Sequence, residues 1–322
     1  MRLIKVFFYV MAAVSLSACS NDDNDIIENT AEQPLPLTIT VSENPLQNPN
    51  TPSQVSSTRT AVTTTSSLTS FTLDYQYTRG GELQSGYVDA RKDGSGNWSA
   101  GNWPDAGGDT EVSWYAHTGG TIVNQTAPYL NFKVEELSTN QKDLLVATAA
   151  GTKNATGGNL SFTFDHACTA LQFYVKKSTN LKDFTLTVTS IKICNIVKSG
   201  KYDLATSTWT PGTTRSEYTL YTGSGMSLGT TDYTLLNANA DDYLFMIPQI
   251  LTPWDTSTAI ASAGTQSYIQ LECTISGATS YSGTAYIPFS ATIDAGMLNN
   301  VKINIGKNSL YSGPATKIIN KQ

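Results

Sequence analysis

The chain has 322 residues, of which 39% are hydrophobic and 10% aromatic, enough apolar material for about two cores and too much for a disordered polypeptide. Only 14% are charged, the formal net charge is −6 and no Lys/Arg cluster occurs, which excludes a general nucleic-acid binder. Thr, Ser, Asn and Gly fill the gap, with 16 Tyr; such a composition suits strands and turns and suits helices poorly.

Residues 1–18 read as a secretion signal. Arg2 and Lys5 form its positive start, and Val6–Leu16 is an apolar run too short to span a bilayer as a helix. It ends in Leu16-Ser17-Ala18-Cys19, which resembles the lipobox of bacterial lipoproteins and marks Cys19 as the lipidated residue. The alternative is an ordinary signal with a chance Cys behind a small residue. Residues 19–35 are an acidic tether, opening on Ser20-Asn21-Asp22-Asp23-Asn24-Asp25. That run resembles the surface-export signal of Bacteroidetes lipoproteins, so the expected location is the outer membrane, facing outward on a lipid anchor.

Leu37, Ile39 and Val41 then alternate with Thr38, Thr40 and Ser42, the pattern of a half-buried strand. Residues 43–57 hold Pro45, Pro49 and Pro52 and read as a loop. Further strands are expected at Phe71–Tyr77, Gly86–Ala90, Val112–Ala116, Tyr129–Val134, Leu144–Ala149 and Phe162–Phe164. From Leu171 the pattern restarts, with Leu171–Val175, Phe184–Ile193, Tyr218–Tyr221, Tyr243–Ile247, Ile269–Ile275, Tyr286–Phe289 and Val301–Ile305. Turn signals such as Arg79-Gly80-Gly81 and Asp93–Asn97 separate them, and no window shows helical periodicity. An all-β chain of two sandwiches follows, with domains at 36–165 and 166–306 and a C-terminal tail at 307–322.

Sites of chemistry are sparse. There are two His and four Cys. His166 and Cys168 share a strand face but have no third ligand nearby, so a packed residue at the domain junction is favoured over a metal ligand. His117 reads as a surface or strand-end residue. Cys168, Cys194 and Cys273 sit in apolar runs and read as buried hydrophobes. The GxSxG spacing of Gly225-Met226-Ser227-Leu228-Gly229 precedes no helical pattern and makes no nucleophile elbow, and no HExxH or P-loop occurs, so no enzyme activity, cofactor or metal is expected. Trp98 and Trp103 are candidate glycan contacts, with Trp114 close by; the alternative for all three is core packing.

Several motifs, in order, resemble the fimbrillin-like family, the subunits and accessory lipoproteins of Bacteroidetes-type (type V) pili. They are the lipobox at Cys19, Thr58-Arg59-Thr60, Trp98 followed by Trp103-Pro104-Asp105 and Val112–Ala116, Asp143–Ala147, Leu160–Leu171 around Asp165-His166, and Tyr243–Gln249. The final approach departs from the family: Asp294-Ala295-Gly296-Met297 leads to Val301–Ile305 where members often have a Trp- or Gly-rich lead into a Tyr-containing strand.

The resemblance implies two tandem transthyretin-like β-sandwiches and a pilus subunit, or a pilus-associated tip or anchor component, in cell adhesion. Its partners would be other pilus subunits, a host or bacterial surface glycan or protein receptor, and the membrane through the lipid; nucleic acid is not among them. It further implies donor-strand exchange. A protease cuts after an Arg, matching Arg59 here, the first strand leaves, and another subunit's strand fills the groove. Leu37, Ile39 and Val41 would be the inward face of that plug. The alternatives are a permanent first strand with Arg59 an ordinary strand residue, and a non-polymerising glycan-binding surface lipoprotein.

Overall fold

The computed structural model describes residues 34–47, 64–135, 141–236 and 243–319. These residues are almost wholly β, as the composition requires. The one α-helix among them is the single turn α1 (Lys153–Thr156), capped by Thr152 at its start and by left-handed Gly157 at its end.

Seven strands in the first half close into a ring. They are β1 (Pro36–Glu43), β2 (Ser70–Arg79), β3 (Glu82–Lys92), β4 (Trp98–Asn102), β5 (Val112–His117), β8 (Leu145–Gly151) and β9 (Asn159–His166), paired in the order β1-β4-β3-β2-β5-β8-β9. The β2–β3 hairpin turns at Gly80 and Gly81, whose φ angles of 61° and 87° are what a two-residue hairpin loop demands. Closure falls to β1, which runs antiparallel to β4 and parallel to β9. With β1 in place the ring has no free edge. Inside lie Phe71, Leu73, Trp114, Phe162 and Phe164 with Leu37 and Ile39 of β1.

The second half packs two sheets over a larger core. In one, β10 (Thr169–Lys177) pairs antiparallel with β15 (Thr234–Leu235) and β16 (Leu244–Met246), and parallel with β21 (Leu298–Ile305). The other has six strands: β14 (Arg215–Ser227), β11 (Thr185–Val197), β18 (Tyr268–Ser276), β19 (Tyr281–Pro288), β22 (Tyr311–Gly313) and β23 (Thr316–Lys317), in that order. Phe173, Val175 and Ile305 from the first meet Leu186, Ile191 and Leu271 from the second. A small pair, β17 (Gln249–Leu251) and β20 (Ala291–Ile293), completes this half.

A third sheet joins the halves. The hairpin β6 (Thr121–Val123) and β7 (Tyr129–Lys133) precedes Asp165 in the chain, yet β7 pairs with β12 (Ser199–Asp203), which pairs in turn with β13 (Thr208–Pro211). Leu130 on β7 is buried in the second core. Residues 307–319 pack onto the second half. Leu310 and Ile319 are buried in the second core, and β22 and β23 extend its six-stranded sheet.

Candidate functional site

The slot that holds β1 follows from its sequence. Pro36 stands first, where its missing N–H takes nothing from the ladder. Alternation then sends Leu37 and Ile39 inward, 1% and 5% exposed, while Thr38 and Thr40 face water. Val41 also points in but is only half-buried. Fully burying Leu37 and Ile39 is worth roughly 3–6 kcal/mol before entropy.

The two seams of the slot differ. Toward β9 the parallel register is continuous from Thr38 opposite Asn159 to Glu43 opposite Phe164. Thr38 N–H also donates to the Gly158 carbonyl at 2.9 Å. Ser42 Oγ and Thr163 Oγ1 are 3.0 Å apart, and Asn44 Nδ2 donates to Asp165 Oδ1 at 2.7 Å. Toward β4 the pairing covers only Pro36 to Ile39 and is broken by a bulge. Beyond Ile39 the seam opens into a cleft of about 500 Å³ lined by Thr40, Val41, Thr65, Lys92, Asn97 and Trp98. At its rim the Thr65 N–H donates to the Glu43 carboxylate, and Lys92 Nζ donates to the Thr65 and Ser66 carbonyls.

Gly158 brings the two chains this close. Its φ is +82°, and a Cβ there would lie 2.6 Å from the Pro36 carbonyl oxygen.

Cys19 and Arg59 lie outside the described residues. Trp98 and Trp103 are core residues, 7% and 6% exposed. The Trp98 ring packs 5.0 Å from Phe71 and the Trp103 ring 5.3 Å from Trp114. Trp103 Nε1 is buried without a hydrogen-bond partner. Both rings are largely covered by aromatic neighbours, and Trp98 alone of the two lines the cleft beside β1.

Both histidines are buried beside aspartates. His117, expected at the surface or a strand end, is the last residue of β5 but is buried: its Nε2 lies 2.8 Å from Asp74 Oδ2, and its Nδ1 donates to the Gly119 carbonyl at 2.7 Å. The hairpin that follows β5 covers this face of β2, which alternation in β5 alone does not reveal. His166 Nδ1 lies 2.5 Å from Asp143 Oδ2 at the end of the ring. Burial pushes the Asp143 carboxyl up, and His166 opposes the shift. Cys168, Cys194 and Cys273 are free and buried. Among the described residues no three His, Cys, Asp or Glu side chains gather as metal ligands, and no helix is long and apolar enough to cross a membrane.

A family model described as fimbrillin-like matches residues 50–318. No curated protein matches the chain. Among solved structures, a fimbrial protein from Bacteroides vulgatus is 18% identical with a TM-score of 0.54, covering 84% of this chain and 96% of its own. A fimbrial assembly protein from Parabacteroides distasonis is 13% identical with a TM-score of 0.39, covering 86% and 93%.

Proposed function

The chain belongs to the fimbrillin-like family, and from that premise we propose that it serves in cell adhesion as a pilus subunit or a pilus-associated tip or anchor component. In this reading it is held to the outer membrane by a lipid on Cys19 and is exposed at the cell surface. Assembly is by exchange of β1 after cleavage at Arg59, with other pilus subunits as partners.

One observation carries the exchange. The strand that closes the ring is the first of the described chain, and it sits between β4 and β9 without being a hairpin partner of either. Withdrawing it breaks two seams and leaves β2 to β9 paired as before. The slot it vacates has a backbone edge on each side and an apolar floor, which is what strand addition requires. Leu37 and Ile39 hold it by burial, a force that any similarly alternating strand supplies. The sugar-binding alternative depends on Trp98 and Trp103, and their burial favours core packing for both.

Cells expressing the wild type should incorporate a labelled fatty acid into the protein and show heat-labile, SDS-resistant ladders. Cys19→Ala should lose the label and leave the membrane fraction. An unlabelled wild type, or cells that give no ladder, would contradict the reading.

A further inference from the structure

The segment that closes the ring continues past Glu43 into the other half of the molecule. Asn44 N–H donates to the Phe164 carbonyl at 2.8 Å, so the chain still follows β9. Leu46, two residues on, is 8% exposed and belongs to the second core, not to the core that takes Leu37 and Ile39. Gln47 then forms a parallel bridge to Met297. Its N–H donates to the Gly296 carbonyl and its carbonyl accepts from the Leu298 N–H, both at 2.8 Å. Leu298 opens β21, the parallel neighbour of β10. One short stretch therefore seals an opening in each core.

We propose, resting on the removable-strand reading above, that Leu37–Gln47 is a two-point plug and that its replacement must anchor at both points. The partner is an extended segment of another polypeptide with apolar side chains at three alternate positions. A fourth, Leu-sized, stands nine positions after the first. The residue after it exchanges backbone hydrogen bonds with Gly296 and Leu298. A strand matching only the alternating part closes the ring and leaves the second core open where Leu46 had been.

The same spacing recurs in the chain, at Phe184, Leu186, Val188 and Ile193 among others. Val301, Ile303, Ile305 and Leu310 repeat the steps from Leu37 to Ile39, Val41 and Leu46. There too a strand lies parallel to its neighbour, β21 beside β10 as β1 beside β9. The last residue makes the difference: Leu310 stays in the core of its own strand, whereas Leu46 crosses to the adjoining one. Ile305 and Leu310 are completely buried where they are, so this copy of the pattern fills its own core in the folded chain.

Two experiments test the proposal. In uncut chain 20–322, Leu46→Ala should speed hydrogen exchange of the Leu298 and Ala170 amides by at least about tenfold and leave Leu160–Phe164 within about twofold. Unchanged exchange at Leu298 and Ala170 would overturn the two-core anchorage. In chain cleaved at Arg59 and stripped of its N-terminal fragment, a peptide of residues 36–47 should bind about ten- to a hundredfold more tightly than one of residues 36–43, and a 36–47 peptide carrying Leu46→Ser should lose that advantage. Equal binding by all three would overturn the partner requirement. If no peptide binds, the removable-strand reading fails instead, and the exchange experiment still decides the anchorage.

Discussion

Ile39 stands opposite Trp98 and is the last residue of β1 with a partner on β4. On its other side β1 stays in register with β9 as far as Glu43. The seam beside Trp98 is therefore the weaker one, short, bulged and flanked by a cleft. In native-state hydrogen exchange, amides of Trp98–Asn102 that face β1 should open before those of Leu160–Phe164 that face it. Simultaneous opening would mean that β1 leaves as a rigid unit.

Ile39→Ala should destabilise the protein by about 2–4 kcal/mol in denaturant unfolding, because the strand cannot shift to fill the space without breaking its register with Leu160. Val41→Ala, at a half-buried site, should cost well under half as much. Equal costs would place the hold of the plug further toward its C-terminal end.

Gly158→Ala puts a methyl 2.6 Å from the Pro36 carbonyl at a residue whose φ is +82°. Strain and the close contact together should cost about 1–3 kcal/mol. Since the clash is with β1 itself, proteolysis of the first strand should quicken more than global unfolding does. A proportional change in both would show that the strain spreads through the whole ring.

Burial, with Glu217 adding to it, pushes the Cys194 thiol up to about 12, and burial with Glu272 pushes Cys273 up to about 11. Burial also raises Cys168 well above its ordinary value. Native chain 20–322 should resist alkylation at pH 8.5 and take up three labels in denaturant. These thiols stay neutral in the folded chain and ionise more readily in the unfolded one. Stability should accordingly be intact below about pH 9 and fall as pH rises toward 11 and 12. Rapid native labelling would contradict their burial.

Trp103→Ala should cost about 3–5 kcal/mol and quench no sugar-dependent fluorescence change, since the ring lies against Trp114 inside the core. A folded variant that specifically loses glycan binding would restore the sugar-binding alternative.

Alternation in the sequence alone marks β1, β9, β18 and β21, each with one wetter and one drier face, and also β2 and β10, whose polar faces, with Asp74, Gln76 and Gln172, are covered in the fold. It misses β4, whose Ser99, Gly101 and Asn102 hide the inward Trp98 and Ala100. It also misses β12, where Ser199-Gly200-Lys201 shows no period although Tyr202 is buried. Alternation tells which side of a strand is dry and not which strand lies beside it. The crossing of β7 to β12, and of Leu46 into the second core, therefore has no sequence signal. The burial of His117 escapes for the same reason: its cover comes from residues 119–125, of which Ile122 and Val123 alone carry apolar side chains. The tail alternates poorly because Leu310 and Ile319 are spaced for two separate anchors and not for one strand face.

The shared sheet bears on the proposed division at Asp165. A fragment 36–164 keeps the ring apart from the end of β9 but leaves β7 without β12, and Leu130 without its core. It should give β-rich circular dichroism with a lower cooperativity than the full chain, and residues 121–135 should be cut first by protease. Fragment 167–306 lacks Leu310 and Ile319 and should be the less stable of the two.

The removable first strand is tested most directly by treating purified chain 20–322 with an Arg-specific protease and following N-terminal sequence and size together. The account predicts one early cut that leaves Thr60 as the new N-terminus, retention of the cut fragment in the ring, and then slow growth of SDS-resistant oligomers, alone or with partner subunits, as β1 is lost. An Arg59 that resists cleavage in the folded protein, or a 60–322 product that stays monomeric with every partner subunit, would contradict it.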